Sequence, residues 1–391
     1  MDRHPTATRH LTVAHIQHRP GRRRPWQVRY RDPTGRERAR SFYKKADADR
    51  FAATVETDIL RGEWTDPRLS RTSVTEWSQR WLRTKSHLKP KTVAGYESNL
   101  RVHVLPAFGD LQLRHIDRMA VEEWVADLQE SGAGPSVIRQ ARQVLDSMMK
   151  LAVQAGYLTA NPVTGVKAPR QPHREMLFLS ADQVERLAAT IEQPYGPLVY
   201  LLAYSGLRWG EAAALRRKRC RLQKSQIEVA ESLAEVRGTL HFGTTKTHRS
   251  RMVTIPHFLN DLLAQHLAQH VPDQPDALVF TSAEGLPLRN SNFRHRIWTP
   301  AVQQAELPRE LRIHDMRHTC AALLIAQGAH PKAAQLHLGH SSITVTMDRY
   351  GHLFPSETDA LAAALDRARA QAVTDQMRTK PRSDGIGLSG P

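Results

Sequence analysis

Only two cysteines occur in 391 residues, Cys220 and Cys320, and they form no CxxC. That excludes a disulfide framework and a zinc knuckle, and Cys320, beside Ala321, Leu323 and Leu324, reads as a small core residue. Long apolar runs are missing too. The longest, such as LVYLLAY at 198–204, fall well short of the roughly 20 residues that span a bilayer. The opening MDRHPTATRH has no apolar signal region, so the expectation is a cytoplasmic, prokaryotic protein with no membrane partner. Lysine is scarce as well, only 12 of 56 basic residues, and arginine carries most of a formal charge of +17. Such a balance favours a polyanionic partner. Arginine dominance suits phosphate gripping, because a planar guanidinium donates in pairs; GC-rich codon usage produces the same bias, and composition alone does not separate the two.

A chain of this length should hold two or three domains, each with its own core. Residues 1–66 read as a β-β-α unit behind a loose basic leader. WQVRY (26–30) alternates, DPTG (32–35) turns, and RERARSFY (36–43) returns as a second strand. A helix follows from about Ala46, with Phe51, Val55 and Ile59 as its buried stripe. Arg29, Arg31, Arg38 and Arg40 are then expected on the exposed face of a ribbon that can enter a DNA groove. Residues 70–168 read as all-helical, with Trp77, Trp81 and Trp124 as core and Gly156 closing the last helix. NPVTGVKAPRQPHR (161–174) reads as a linker. Residues 174–366 mix helices with a short sheet, and an aperiodic tail is expected over 367–391. The fold class expected is multidomain, mainly α with small β-sheets.

Five stretches of the third domain carry reactive side chains in unusual settings. SGLRWGE (205–211) places Arg208 after a glycine break between helices. TTKTHRSRMVTIP (244–256) puts Lys246 near a hairpin tip. HDMRH (314–318) opens an otherwise apolar helix with His314 and Arg317. LGH (338–340) presents His340 after a short helix, and SSITVTMDRYGH (341–352) contains Tyr350.

Two chemistries compete for HDMRH. As a zinc motif it lacks the glutamate of HExxH and sets an arginine where a cation repels the metal, so no metal site is assigned. A phosphate site uses every residue. Two arginines can neutralise the non-bridging oxygens of a phosphodiester through paired charged hydrogen bonds. A tyrosine hydroxyl can attack phosphorus, a lysine can protonate the leaving oxygen, and a histidine can take the tyrosine's proton. Neither a metal nor ATP is needed, because the arginines carry the electrostatic load and no cofactor enters the chemistry.

In this order, with SGLR, HDMRH, LGH and DRYGH, the set R…K…HxxR…H…Y resembles the tyrosine recombinase (phage integrase) family over nearly the whole chain. GYLTANP (156–162) is similar to that family's exit from its core-binding domain, and the N-terminal unit to the arm-binding domain of lambda-type integrases. The resemblance implies an arm-type DNA-binding domain (1–66), a helical core-binding domain (70–168), a mixed α+β catalytic domain (174–366) and a flexible tail (367–391). It implies that Arg208 and Arg317 hold the scissile phosphate, Lys246 acts as general acid and His314 assists proton transfer there. His340 would donate to the phosphate, and Tyr350 would be the nucleophile. No family role transfers to His318, which reads as structural, and Asp315 is expected to cap the helix carrying Arg317. The strongly basic RRKRCRLQK (216–224) departs from the family, and Lys224 competes weakly with Lys246.

The activity implied is site-specific recombination of double-stranded DNA by four protomers, with accessory DNA-bending and directionality proteins as further partners. A chromosome-dimer resolvase of the same family is the nearest rival, and the basic N-terminal unit argues against it. A type IB topoisomerase and a DNA-binding regulator on a dead recombinase fold are the others.

Overall fold

The structure, a computed structural model, describes residues 14–33, 35–62, 64, 69–171, 175–245, 250–354 and 358–379. The chain divides into two compact units, Met1–His173 and Arg174–Pro391.

The first unit opens with an antiparallel sheet of β1 (Ala14–His18), β2 (Trp26–Arg31) and β3 (Glu37–Phe42), backed by α1 (Lys45–Arg61). Alternation in β2 drives Val28 and Tyr30 into a small core with Ala48, Ala52 and Val55 of α1. One strand more is present than expected. The end of the leader pairs with β2 from Ala14↔Tyr30 to His18↔Trp26. AHIQH has too few apolar positions to announce a strand, and pairing along the edge of β2 makes it one.

The same sheet corrects the placement of the four arginines. Arg38 stands directly opposite Tyr30 and Arg40 opposite Val28. Opposed residues of an antiparallel pair share a face, so both lie on the side that packs on α1. Arg38 Nε donates to Asp32 Oδ2 at 3.0 Å, and the Arg40 guanidinium lies 4.8 Å from the centre of the Phe51 ring. Arg29 and Arg31 hold the other face, where Arg29 pairs with Glu37. The arginines are split between two faces because the register, which the sequence does not reveal, pairs residues by turn length.

A helical region follows: α2 (Val74–Arg83), α3 (Pro90–Asn99), a π-helical turn into α4 (Leu105–Phe108), α5 (Arg118–Glu130) and α6 (Pro135–Gln154). Ser73 and Asp117 start α2 and α5 by accepting the backbone N–H of Glu76 and Ala120. Trp77, Trp81 and Trp124 are buried with Met148 and Met149. The indole N–H of Trp77 donates to the Met148 carbonyl and that of Trp124 to the His103 carbonyl, both at 3.0 Å, so these rings are core anchors.

The second unit begins with α7 (Ala181–Thr190), α8 (Gly196–Ser205) and α9 (Trp209–Ala213). Next come β4 (Cys220–Arg221), β5 (Gln226–Val229), β6 (Glu231–Val236), β7 (Thr239–Thr244) and β8 (Arg251–Thr254). They form a sheet β4-β5-β8 and a separate hairpin β6-β7. The helices α10 (His257–His270), α11 (Asn290–Phe293), α12 (Thr299–Gln304), α13 (Asp315–Ala326), α14 (Pro331–Leu338), α15 (Ile343–Tyr350) and α16 (Thr358–Thr379) complete it.

Helix α8 is apolar on every side and forms the middle of the core, with α7 and α13 packed against it. Helix α16 runs into the stretch expected to lack structure. Its alanine-rich sequence favours helix without an apolar stripe, which is why periodicity did not reveal it. Among the described residues no helix is long and apolar enough to cross a membrane.

The break between α8 and α9 aims the site. Gly206 has φ +62°, and a Cβ there would fall 2.6 Å from Leu338 Cδ2 and 3.2 Å from Cys320 Sγ. Gly206→Ala should therefore destabilise the second unit by roughly 1–3 kcal/mol, from left-handed strain and overpacking together. Gly95 inside α3 has open space at its Cβ position and an ordinary φ, so Gly95→Ala should be neutral or raise the melting temperature of the first unit. Calorimetry of the full chain tests both; a Gly206→Ala protein as stable as the parent would refute the packing argument.

Candidate active site

The site is built around a buried carboxylate. Arg208 is the residue before α9, and Glu211, three positions on, folds back to cap the helix start. Glu211 Oε2 accepts the Arg208 backbone N–H at 3.0 Å and Oε1 accepts Arg208 Nη1 at 3.0 Å. From β8, Arg251 donates to the same two oxygens, Nη1 to Oε1 at 3.1 Å and Nη2 to Oε2 at 2.7 Å. The Glu211 side chain is 1% exposed. Burial by itself would raise its pKa, but the hydrogen bonds and charges of Arg251 and Arg208 outweigh that and hold the carboxyl at about 2. Removing one partner of such a pair costs about 3–5 kcal/mol, because the other charge stays buried.

Arg317 sits one turn into α13 and is 2% exposed. Its Nη1 donates to the Gly206 carbonyl at 2.5 Å and its Nη2 to the Leu338 carbonyl at 2.6 Å. Two backbone turns thus hold the guanidinium plane. Burial, with the charges of Arg208 and Arg251 against the opposing Glu211, brings its pKa down to about 10, so it remains a cation at neutral pH. His314 stands at the start of the helix. Asp315 is not the cap: its carboxylate accepts the Arg312 backbone N–H at 2.7 Å and pairs with the Arg312 guanidinium, tightening the turn before α13. Thr319, on the next turn, accepts the Leu179 backbone N–H at 3.1 Å and so ties α13 to the start of the unit.

The LGH turn follows α14. Gly339 has φ +67°, and a Cβ there would fall 2.7 Å from Arg251 Cδ and Nε. Glycine is what lets this turn approach the arginine cluster. Gln335 Nε2 donates to the His340 carbonyl at 3.1 Å, fixing the turn. His340 is 8% exposed, its Nδ1 lies 2.9 Å from Thr346 Oγ1, and its Nε2 is buried with no hydrogen-bond partner among the described residues. Burial, then the charges of Arg317, Arg208 and Arg349, depress its pKa to about 3, so the ring is neutral.

Tyr350 ends α15 and is fully buried. Its ring lies nearly parallel to that of His340, with centroids 6.2 Å apart. Its hydroxyl lies 2.8 Å from His318 Nδ1. His318 meets His314 edge to face, with ring centroids 5.1 Å apart. Burial raises the Tyr350 pKa, against the lowering charges of Arg317, Arg349 and Arg208.

Three regions far apart in sequence therefore meet: Arg208 from the α8–α9 break, Arg317 from α13, and His340 and Tyr350 from the LGH turn and the α15 that follows it. Three guanidiniums against one carboxylate leave the cluster cationic and able to hold a phosphate. Lys246 lies outside the described residues, in the connection from β7 to β8. Lys224 is exposed after β4. Arg29, Arg31, Arg38 and Arg40 belong to the other unit. Two neighbours of the site, Glu211 and Arg251, escaped the sequence reading, and His318 was read there as structural. Glu211 has the spacing of a cap three after Arg208, which could have revealed it. Arg251 is one basic residue among several in its hairpin. His318 shares a helix with Arg317 but is tied to Tyr350 only in space.

Comparison with known proteins gives a consistent result. The description of the phage integrase family matches residues 177–357, and that of its N-terminal SAM-like domain matches 73–129. A putative prophage phiRv2 integrase of Mycobacterium tuberculosis is 27% identical over 353 residues, covering 88% of this chain and 92% of its own. The solved Tn1549 transposon integrase in complex with transposon right end DNA has a TM-score of 0.66 at 20% identity, covering 76% of this chain and 99% of its own. A lambda integrase tetramer bound to a Holliday junction has a TM-score of 0.55 at 19% identity, covering 85% and 93%. With its ordered arginines, histidines and tyrosine gathered at one site, this chain belongs to the tyrosine recombinase family, of the phage integrase type.

Proposed function

We propose that this chain is a site-specific DNA recombinase. It cuts and rejoins double-stranded DNA through a 3′-phosphotyrosyl intermediate, and so integrates or excises a phage or similar mobile element. The observation that carries this reading is the buried Tyr350 hydroxyl within the electrostatic reach of Arg317 and Arg208. Relatives named as integrases support the same activity.

In this reading Arg208 and Arg317 grip the non-bridging oxygens of the scissile phosphate. Glu211 and the two backbone carbonyls hold the guanidiniums in place before DNA arrives, so little reorganisation is left for the transition state. In this reading the Thr346 hydroxyl, 2.9 Å away, donates to His340 Nδ1, which leaves the ring proton on Nε2 to be given to a phosphate oxygen. His314, at the mouth of the site, assists proton transfer at the phosphate. Tyr350 attacks phosphorus, and Lys246 protonates the departing 5′-oxygen. Arg29 and Arg31, on the open face of the N-terminal sheet, contact separate arm sites, whereas Arg38 and Arg40 chiefly build that sheet. Residues 1–66, 70–168 and 174–366 act as arm-binding, core-binding and catalytic domains. Four copies work on two duplexes, with accessory bending and directionality proteins completing the assembly.

Tyr350→Phe should abolish the covalent DNA adduct while leaving specific binding within about threefold, roughly 0.6 kcal/mol. A denaturant-resistant adduct from that variant would remove Tyr350 as nucleophile.

Lys246→Ala should slow cleavage of ordinary DNA by about 10²–10⁴-fold. Replacing the bridging 5′-oxygen with sulfur gives a leaving group that needs no proton, and the variant should then approach the parent rate. Equal slowing on both substrates would reduce Lys246 to a phosphate contact.

Deleting residues 1–66 should spare cleavage at the core site and cripple full integration, because arm binding tethers the catalytic domains by effective concentration. Undiminished recombination by the truncated protein would end the arm-binding assignment.

A further inference from the structure

The phosphate grip leaves one question of chemistry open, namely where the Tyr350 proton goes. Among the described residues the hydroxyl has one hydrogen-bond partner, His318 Nδ1 at 2.8 Å. That histidine directly follows Arg317, so the phosphate ligand and the partner of the nucleophile ride on one rigid helical turn. The His314 ring packs edge to face against His318, and Tyr350 meets it at 60° on the other contact, so its orientation is held by rings and by the helix.

We infer that His318 is a catalytic residue: it accepts the phenolic proton as Tyr350 attacks DNA and returns it when the strand is rejoined. The inference rests on the recombinase reading above. In the forward step the Tyr350 oxygen bonds to phosphorus while the bond from phosphorus to the 5′-oxygen breaks. The phenolic proton passes to His318 Nδ1, and the 5′-oxygen takes its proton from Lys246. In the reverse step a 5′-hydroxyl attacks the phosphotyrosine and gives its proton to Lys246, the bond from phosphorus to the Tyr350 oxygen breaks, and the imidazolium gives its proton back to the departing phenolate.

Electrostatics agree with the geometry. Burial, then His314, with Arg349 and Arg312 acting against Asp315, holds the His318 imidazole at about 4, so it is neutral and free to accept at physiological pH. A phosphodiester entering this cluster adds negative charge and raises the ring's proton affinity at the moment the proton must move. A purely structural histidine needs no particular partner at Nδ1. A mere stowing contact for the tyrosine would use any polar side chain.

The test uses the full chain and a nicked duplex cut from the DNA flanking the gene, and follows covalent adduct formation. Three proteins are compared: the parent, His318→Gln and His318→Ala. His318→Gln keeps a polar side chain of similar reach but takes up no proton. Both variants should melt near the parent, bind DNA within about threefold, and form adduct about 10²–10⁴-fold more slowly, the usual worth of a positioned base. Added imidazole should restore part of the rate to His318→Ala. Installing 3,5-difluorotyrosine at position 350 weakens the hold on the phenolic proton, and should speed His318→Gln by tenfold or more while barely changing the parent. A His318→Gln protein at or above the parent rate would show that the contact only stows the tyrosine. A deficit that fluorination leaves unchanged would show a structural role. Either result overturns this inference and spares the recombinase reading, whereas a parent protein that forms no adduct overturns both.

Discussion

The clasp of Arg208 and Arg251 on the Glu211 carboxylate is the contact on which the rest of the site depends. A phosphate-binding site must keep several guanidiniums close together in the absence of their anion, and like charges at that range repel. Glu211 supplies the missing negative charge from inside the protein, and four hydrogen bonds satisfy its oxygens. The carboxylate stays ionised at any physiological pH because the arginines hold its pKa at about 2. A single acidic side chain thereby joins the α8–α9 break to β8, two segments 40 residues apart.

Arg317 solves the same problem differently. Its guanidinium is directed by two backbone carbonyls, which carry partial charge and cannot swing away as a side chain can. Both carbonyls belong to turns that depend on glycine, Gly206 itself and Leu338 before Gly339. Left-handed residues at these points let the turns come close enough to be hydrogen-bond acceptors for a buried cation. Strain, packing and electrostatics therefore meet at the same two positions, and a methyl group at either disturbs all three.

Tyr350, the proposed nucleophile, is fully buried beside His318, and burial raises its pKa against the lowering charges of Arg317, Arg349 and Arg208. Its hydroxyl is thus held dry and oriented while no phosphate is present. The proposed phosphate ligand, nucleophile and proton acceptor therefore share one small region between Arg317 and Tyr350.

Much of this molecule is written in local pattern. Spacing of apolar residues marked the helices from Val74 to Gln154, the tryptophans announced their own burial, and Gly206 declared a break. The ordered series Arg208, His314, Arg317, His340 and Tyr350 pointed to phosphate chemistry, since each type has a distinct job at a phosphodiester. What local pattern cannot carry is register and long-range pairing. Arg38 and Arg40 alternate along their strand just as Arg29 and Arg31 do along theirs, yet strand pairing turns one pair toward α1 and the other away. Arg251 acquires its role only when β8 comes beside α9. His318 is one helical residue among others until α15 lays the Tyr350 hydroxyl against it. Residue type and spacing decided which chemistry was available; the close approach of distant segments, set by burial and backbone hydrogen bonds, decided which of those residues face one another.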